Sequence, residues 1–204
     1  MHGGVAHVGV ALALYLCAAM AAGFLMLQTY PHARLGLCNL MTLLRLVITA
    51  AMVVPLLGGG GVQWEIFALA AVALCLDGVD GWLARRQDLA SKFGARFDME
   101  VDAALGLLLA LNAYATSTAG PVVLLLGLPR YFFAVAGQIL PWFAQPLPDR
   151  FGRKVVCVIQ IAVLIGIQMP IMPPTLATVA IIAAALALCW SFGRDVIWLW
   201  WRRA

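Results

Sequence analysis

Carboxylates are scarce in this chain and unevenly spread. Of nine, six lie between Asp77 and Asp102: Asp77, Asp80, Asp88, Asp98, Glu100 and Asp102. The others are Glu65, Asp149 and Asp195. Asp77 and Asp80 are three residues apart, and Asp98 and Asp102 four apart, so on helices each pair shares a face. Four carboxylates gathered without matching cations repel one another strongly. Divalent cations held by oxygen ligands, Mg²⁺ or Mn²⁺, relieve that repulsion. Such a centre can neutralise a pyrophosphate and stabilise the charge developing on a departing oxygen.

The residues between the pairs suit a ligand of that kind. Gly78, Gly81 and Ala84 keep side chains off the aspartate-bearing face, so a flat ligand can approach the backbone. Gly94 does the same, or breaks the chain before the second pair. Arg85 and Arg86 set positive charge where a pyrophosphate would lie. Asp88 and Glu100 fall off the faces of the two pairs and are expected as solvated rim charges. His2, His7 and His32 show no ligand spacing. The five cysteines stand singly with no C-x-x-C pair, which speaks against a zinc site or a disulfide framework.

The elements that position these residues are set by hydropathy. Of 204 residues 64% are hydrophobic and only 11% charged, and the mean hydropathy is +0.98. A soluble domain is roughly half apolar and about a quarter charged. The composition therefore predicts an all-α integral membrane protein, since only helices or closed barrels satisfy the backbone in hydrocarbon and the apolar runs do not alternate. Seven apolar segments are expected, at about 5–27, 37–57, 64–85, 97–116, 120–143, 155–169 and 176–200. The first lacks a basic start and an A-x-A cleavage site and is read as a retained helix rather than a signal peptide. Basic residues cluster at Arg85–Arg96, Arg150–Lys154 and Arg202–Arg203. Alternation of seven spans puts these and Arg34 on one side, and the glycine-rich, Thr116–Gly120 and proline turns on the other. The positive-inside rule makes the first side cytoplasmic, with the N-terminus outside. The net charge of +4 is too dispersed for nucleic-acid binding. The tryptophans are expected as interface anchors.

The run Asp77-Gly78-Val79-Asp80-Gly81-Trp82-Leu83-Ala84-Arg85, followed by Gly94, Asp98 and Asp102, resembles the signature of the CDP-alcohol phosphatidyltransferases, D-x2-D-G-x2-A-R-x8-G-x3-D-x3-D. Every fixed position is filled. The resemblance implies a six-helix transmembrane core over residues 35–204, with residues 1–34 an added N-terminal transmembrane helix and turn. It implies two metal ions bound by Asp77, Asp80, Asp98 and Asp102, with Asp102 also the general base toward the acceptor hydroxyl. Gly81, Ala84, Arg85 and Ser91 match the part of the signature that meets CDP-diacylglycerol. Asn39 and Thr42 resemble the family's N-x-x-T element on the same lipid, which Arg45 extends to N-x-x-T-x-x-R. The implied reaction moves a phosphatidyl group to a small polar alcohol with release of CMP, at the cytoplasmic face of a bacterial inner membrane. Many members pair as homodimers; no interface is legible here.

The acceptor is specified less closely. Arg130 lies inside an apolar segment, where a charge needs a partner or a polar cavity. Arg153 and Lys154 open the sixth segment, and Lys154 to Gln160 resembles the family's K-x5-Q element, with Cys157 at the usual threonine position. Read as a phosphate pocket, Arg130, Arg153 and Lys154 point to glycerol 3-phosphate. Inositol phosphate, serine and choline are the alternatives within the same chemistry. Read otherwise, Arg153 and Lys154 mark topology, and Arg130 pairs with a carbonyl or carboxylate. Arg86 and Arg96 are read as topology determinants or contacts to lipid phosphates. Two other classes compete for the acidic cluster. A UbiA-like prenyltransferase carries its two Asp-rich elements far apart, and a cation transporter leaves Gly81, Ala84, Arg85 and Gly94 without a role.

Overall fold

The computed structural model describes residues 2–31, 36–59, 63–86, 91–116, 119–145, 147–148 and 150–202; of Asp80, Gly81, Trp82, Ala84 and Arg85 it describes the helical backbone only. All the described secondary structure is helical: α1 (His2–Thr29), α2 (Leu37–Ala51), α3 (Val53–Leu57), α4 (Gln63–Arg86), α5 (Lys92–Ala115), α6 (Leu124–Gly127), α7 (Pro129–Ile139), α8 (Phe151–Gly166) and α9 (Pro174–Trp201), with short 3₁₀ turns at Pro121–Val123 and Pro141–Ala144. Gly3–Thr29, Leu37–Leu57 and Pro174–Trp201 are each long and apolar enough to cross a membrane. Helices α4 and α5, of 24 residues each, are long enough but carry the charges of the acidic cluster.

Proline shapes two of the segments. Pro55 has no N–H to give the Ala51 carbonyl, and its ring crowds that turn. The second segment accordingly breaks at Met52 into α2 and α3. The Met52 carbonyl near this break accepts a hydrogen bond from Asn112 Nδ2 of α5 at 3.2 Å. The fifth segment departs further from expectation. It is not one helix but two, Pro121–Gly127 and Pro129–Ile139, bent by 62° where Pro129 interrupts the ladder. Gln160 Nε2 on α8 donates to the Leu126 carbonyl beside this bend. Just before it Gly127 lies flat on α5: a Cβ there would stand 3.0 Å from Leu107 Cα and from Ala110 Cβ.

Helix α2 is the central post, packed against α1, α4 and α5, while α8 pairs with α9. Its buried stripe is Cys38, Asn39, Thr42, Arg45, Leu46 and Thr49, whereas Leu37, Leu40, Leu44 and Val47 are exposed. Polar residues inside and leucines outside is the pattern of a helix whose solvent is lipid. The apolar core, around Met52, Ile66, Ala70, Leu105, Leu109, Leu164, Ile167 and Ile181, is tied across helices by Gln168 Nε2, which donates to the Leu109 carbonyl at 2.8 Å.

The two ends of the bundle differ in charge. The Tyr30 ring, just beyond α1, meets Phe93 at the start of α5, and His7 near the other end of α1 approaches Gly58. The starts of α2, α5 and α8 and the ends of α1, α4 and α9 therefore share one end. That end holds Arg86, Lys92, Arg96, Arg150, Arg153, Lys154, Arg194 and Arg202. Among the described residues the opposite turns, at Gly58–Gly59, Thr116–Gly120 and Ile167–Pro173, hold no lysine or arginine.

Candidate active site

Each carboxylate of the cluster is carried by a helix that α2 touches. Asp98 and Asp102, one turn apart on α5, and Asp77 on α4 converge on Arg45. The Arg45 guanidinium, 1% exposed, lies 2.9 Å from Asp77 Oδ1 through Nη1. It also pairs with Asp98 through Nη1 and with Asp102 through Nη2. One oxygen from each of Asp77, Asp98 and Asp102 lies within 4.8 Å of the others. The three side chains keep 35%, 34% and 42% exposure. The arrangement is a shallow bowl with a buried cation in its floor and carboxylates open at its rim.

The sequence leads one to expect carboxylates without matching cations, yet Arg45 supplies a buried one among them. Arg45 was visible only as an extension of a polar pattern. Its role depends on how α2 crosses α4 and α5, which no helical period encodes. Three carboxylates against one guanidinium still leave a surplus of two negative charges among these groups. Hard oxygen donors at this separation, with a negative surplus and open access, fit a small divalent cation. The side chain of Asp80 lies outside the described residues; the unbroken helix through it puts its Cα on the Asp77 face of α4.

The residues expected to meet the CDP-lipid divide into two groups. Gly81, Ala84 and Arg85 lie outside the described side chains. Asn39, Thr42 and Ser91 line up beside the bowl. Thr42, 4% exposed, donates from Oγ1 to the Cys38 carbonyl at 3.1 Å. Asn39 is equally buried, and its Nδ2 has no hydrogen-bond partner among the described groups. A buried amide donor left without an acceptor is costly, so a ligand oxygen there would relieve it. Ser91 caps α5, its Oγ accepting from Gly94 N at 3.0 Å. Gly94 does not break the chain: α5 begins at Lys92, ahead of the expected Phe97, and Gly94 sits in its first turn. Its small size is needed because a Cβ would come 3.2 Å from both Asn39 Oδ1 and Ser91 Oγ. Gly78 meets nothing within 4 Å, so its side of α4 is open to a ligand.

The basic residues expected to form one acceptor pocket do not gather. Arg130 is paired with Glu100, across α5 from the bowl. Glu100 is exposed, as expected of a charge off the faces of the pairs, and has Arg130 as its partner; Asp88 lies outside the described residues. Lys154 is exposed and makes no described side-chain contact. Arg153 lies elsewhere, with two arginines that sequence reasoning did not select. Its Nη1 is 3.3 Å from Asp195 Oδ2, and its Nη2 donates to the Pro148 carbonyl at 3.1 Å. Arg150 is 3.5 Å from Asp195 Oδ1. These residues, with Ser191 and Arg194, line a cavity of about 430 Å³. The signal for it was present: Asp195 is a lone carboxylate in an apolar span, 2% exposed, and such a group needs a cation. Helix α8, which carries Arg153, packs against both α4 and α5, so the basic cavity sits on a helix that borders those bearing the carboxylates.

Comparison with known proteins bears directly on this geometry. Residues 35–192 match the family model described as CDP-alcohol phosphatidyltransferase. Two curated relatives, from Mycobacterium tuberculosis strains CDC 1551 / Oshkosh and ATCC 25618 / H37Rv, are each described as "Probable phosphatidylglycerophosphate synthase". Each is 32% identical over 182 residues, covering 83% of this chain and 84% of the relative. No solved structure matches.

Proposed function

The chain belongs to the CDP-alcohol phosphatidyltransferase family, and on that premise we propose that it transfers the phosphatidyl group of CDP-diacylglycerol to glycerol 3-phosphate, with Asp102 as general base. The class of reaction follows from membership: phosphatidyl transfer from a CDP-activated lipid to an alcohol, within a membrane and in the service of phospholipid biosynthesis. The acceptor, the metal and the base are our reading. The observation that carries it is the packing of α8, which bears Arg153 and its arginine-lined cavity, against α4 and α5, the helices of the carboxylate bowl.

In this reading Asp77, Asp80, Asp98 and Asp102 hold two divalent ions, Mg²⁺ or Mn²⁺. When bound, these supply the positive charge that neutralises the pyrophosphate of the donor and the CMP leaving group. The chain's own residues do the rest. Asn39, with its unsatisfied amide, and Thr42, Ser91 and the Gly81–Ala84–Arg85 turn of α4 receive the CDP moiety. Arg153, with Arg150 and Arg194, takes the acceptor phosphate through charge-assisted hydrogen bonds. Lys154 contributes positive field rather than contacts, whereas Arg130 is neutralised by Glu100. Asp102 accepts the proton of the acceptor hydroxyl as its oxygen attacks the lipid-bearing phosphorus. The bond from that phosphorus to the CMP oxygen breaks, and CMP departs with the electron pair.

The concentration of lysine and arginine at the site's end of the bundle supports a cytoplasmic site in a bacterial inner membrane. The test is CMP release from CDP-diacylglycerol by the purified protein, with glycerol 3-phosphate, inositol phosphate, serine and choline offered in turn. Release with glycerol 3-phosphate well above the others is expected. Release driven only by serine or choline, which lack a free phosphate, would sink the proposed acceptor while leaving the family chemistry intact.

A further inference from the structure

Helix α1 precedes the stretch that matches the family model, and it does not seal against the bundle. Between α1 and α5 runs a cavity of about 480 Å³, walled by Ala18, Ala21, Ala22 and Leu25 on one side and Phe93 and Phe97 on the other. Its volume is within the range of sites for small molecules. Small α1 side chains facing two aromatic rings leave a long apolar slot, and Lys92 and Arg96, one turn apart on α5, line the same cavity. Glu100 also lines it, but Arg130 offsets that charge.

The slot is distinct from the bowl. Successive residues turn by about 100° around a helix, so Phe93, Arg96, Phe97, Glu100 and Ala104 lie on the side of α5 away from Asp98 and Asp102. Lys92 and Arg96 sit at the basic end of the bundle, the end where lipid phosphates meet the protein if that end is interfacial. An apolar slot reaching into the hydrocarbon, with two cations at headgroup level, is complementary to a lipid bearing net negative charge.

We infer that the α1–α5 slot binds one acyl chain of an anionic phospholipid of the surrounding bilayer, its phosphate held by Lys92 and Arg96. This lipid is neither donor nor acceptor, and the inference does not depend on which alcohol the enzyme uses. Helix α1 is thereby a lipid-binding element added beside the transferase core.

The test uses the full chain in phosphatidylcholine nanodiscs doped with phosphatidylglycerol that carries a photoactivatable group on one acyl chain. Adducts are expected on α1 between Ala18 and Thr29 and on α5 between Phe93 and Ala104. The yield should fall about fivefold for each charge removed in Lys92→Gln and Arg96→Gln. Both residues are exposed, so these variants should fold normally. Ala21→Phe, at a residue that is also exposed, should fill the slot and clear the adducts from α1. Saturating CDP-diacylglycerol should leave them in place. Equal labelling by an identically tagged phosphatidylcholine, indifference to the two cation variants, or displacement by CDP-diacylglycerol would each overturn the inference.

Discussion

Two charge clusters near the same end of the bundle are near mirror images. In one, three carboxylates from α4 and α5 surround a single buried arginine of α2. In the other, Arg150 just before α8, Arg153 on α8 and Arg194 on α9 line a cavity with a single buried aspartate, Asp195, to which Arg150 and Arg153 are paired. In each, the central residue is almost fully buried and the outer ones are partly open. The difference between them is the sign of the charge left over. The carboxylate cluster retains negative charge and suits cations; the arginine cluster retains positive charge and suits an anion. The buried counter-charge allows each surplus to persist in the absence of ligand, since isolated like charges in a low-dielectric setting would not. On the proposed reading, a donor pyrophosphate with its metals and an acceptor phosphate would occupy separate places at one end of the bundle.

The sharpest way to separate the two clusters is by what each variant loses. Asp102→Asn keeps the shape of the bowl but removes the base. Turnover should fall by about two to four orders of magnitude, while CDP-diacylglycerol binding, measured by isothermal titration in detergent, stays within a few-fold, roughly 1 kcal/mol. Arg153→Gln should act on the other substrate. Loss of a charge-assisted hydrogen bond, about 1.5–3 kcal/mol, predicts a rise of about tenfold to a hundredfold in the KM for glycerol 3-phosphate, with the donor KM unmoved. A rise in the donor KM instead would merge the two clusters into one site.

Arg45→Met tests the buried counter-charge. With metal chelated, the carboxylates lose their cation, and thermal unfolding should show a destabilisation of about 2 kcal/mol, discounted for the carboxylates' partial exposure. Mg²⁺ or Mn²⁺ should restore the variant more than it stabilises the parent protein. Equal response to metal in both would mean that Arg45 and the ions do not answer the same charge. The smallest effect is expected at Gly94→Ala. The added methyl would crowd Asn39 Oδ1 and Ser91 Oγ at 3.2 Å, a strain of about 1 kcal/mol, read as a donor KM that rises while kcat is little changed.

What the sequence disclosed depended on whether the signal was local. The spacings of Asp77 with Asp80 and of Asp98 with Asp102 are helical periods, and the structure brings Asp77, Asp98 and Asp102 together. The helical class and the apolar segments follow from hydropathy over windows of twenty residues. Pro129 was equally local, and the bend in the fifth segment was within reach of the rule that proline interrupts a helix; apolarity alone marked that segment as continuous. Arg45 and Asp195 are different. Each announces by its burial in an apolar span that it needs partners, but the partners come from helices whose crossing is set by tertiary packing. The same holds for Glu100, whose partner Arg130 is thirty residues away across the bend. Gly94 was legible as a small residue, but its neighbours Asn39 and Ser91 were not.

The central claim is that the carboxylate bowl is a metal-dependent transfer site, and the most direct measurement is metal-titrated CMP release from CDP-diacylglycerol with glycerol 3-phosphate. We expect no release after chelation, recovery on adding Mg²⁺ or Mn²⁺, and no recovery at any metal concentration in Asp102→Asn. Release that survives chelation, or full activity in Asp102→Asn, would contradict the account.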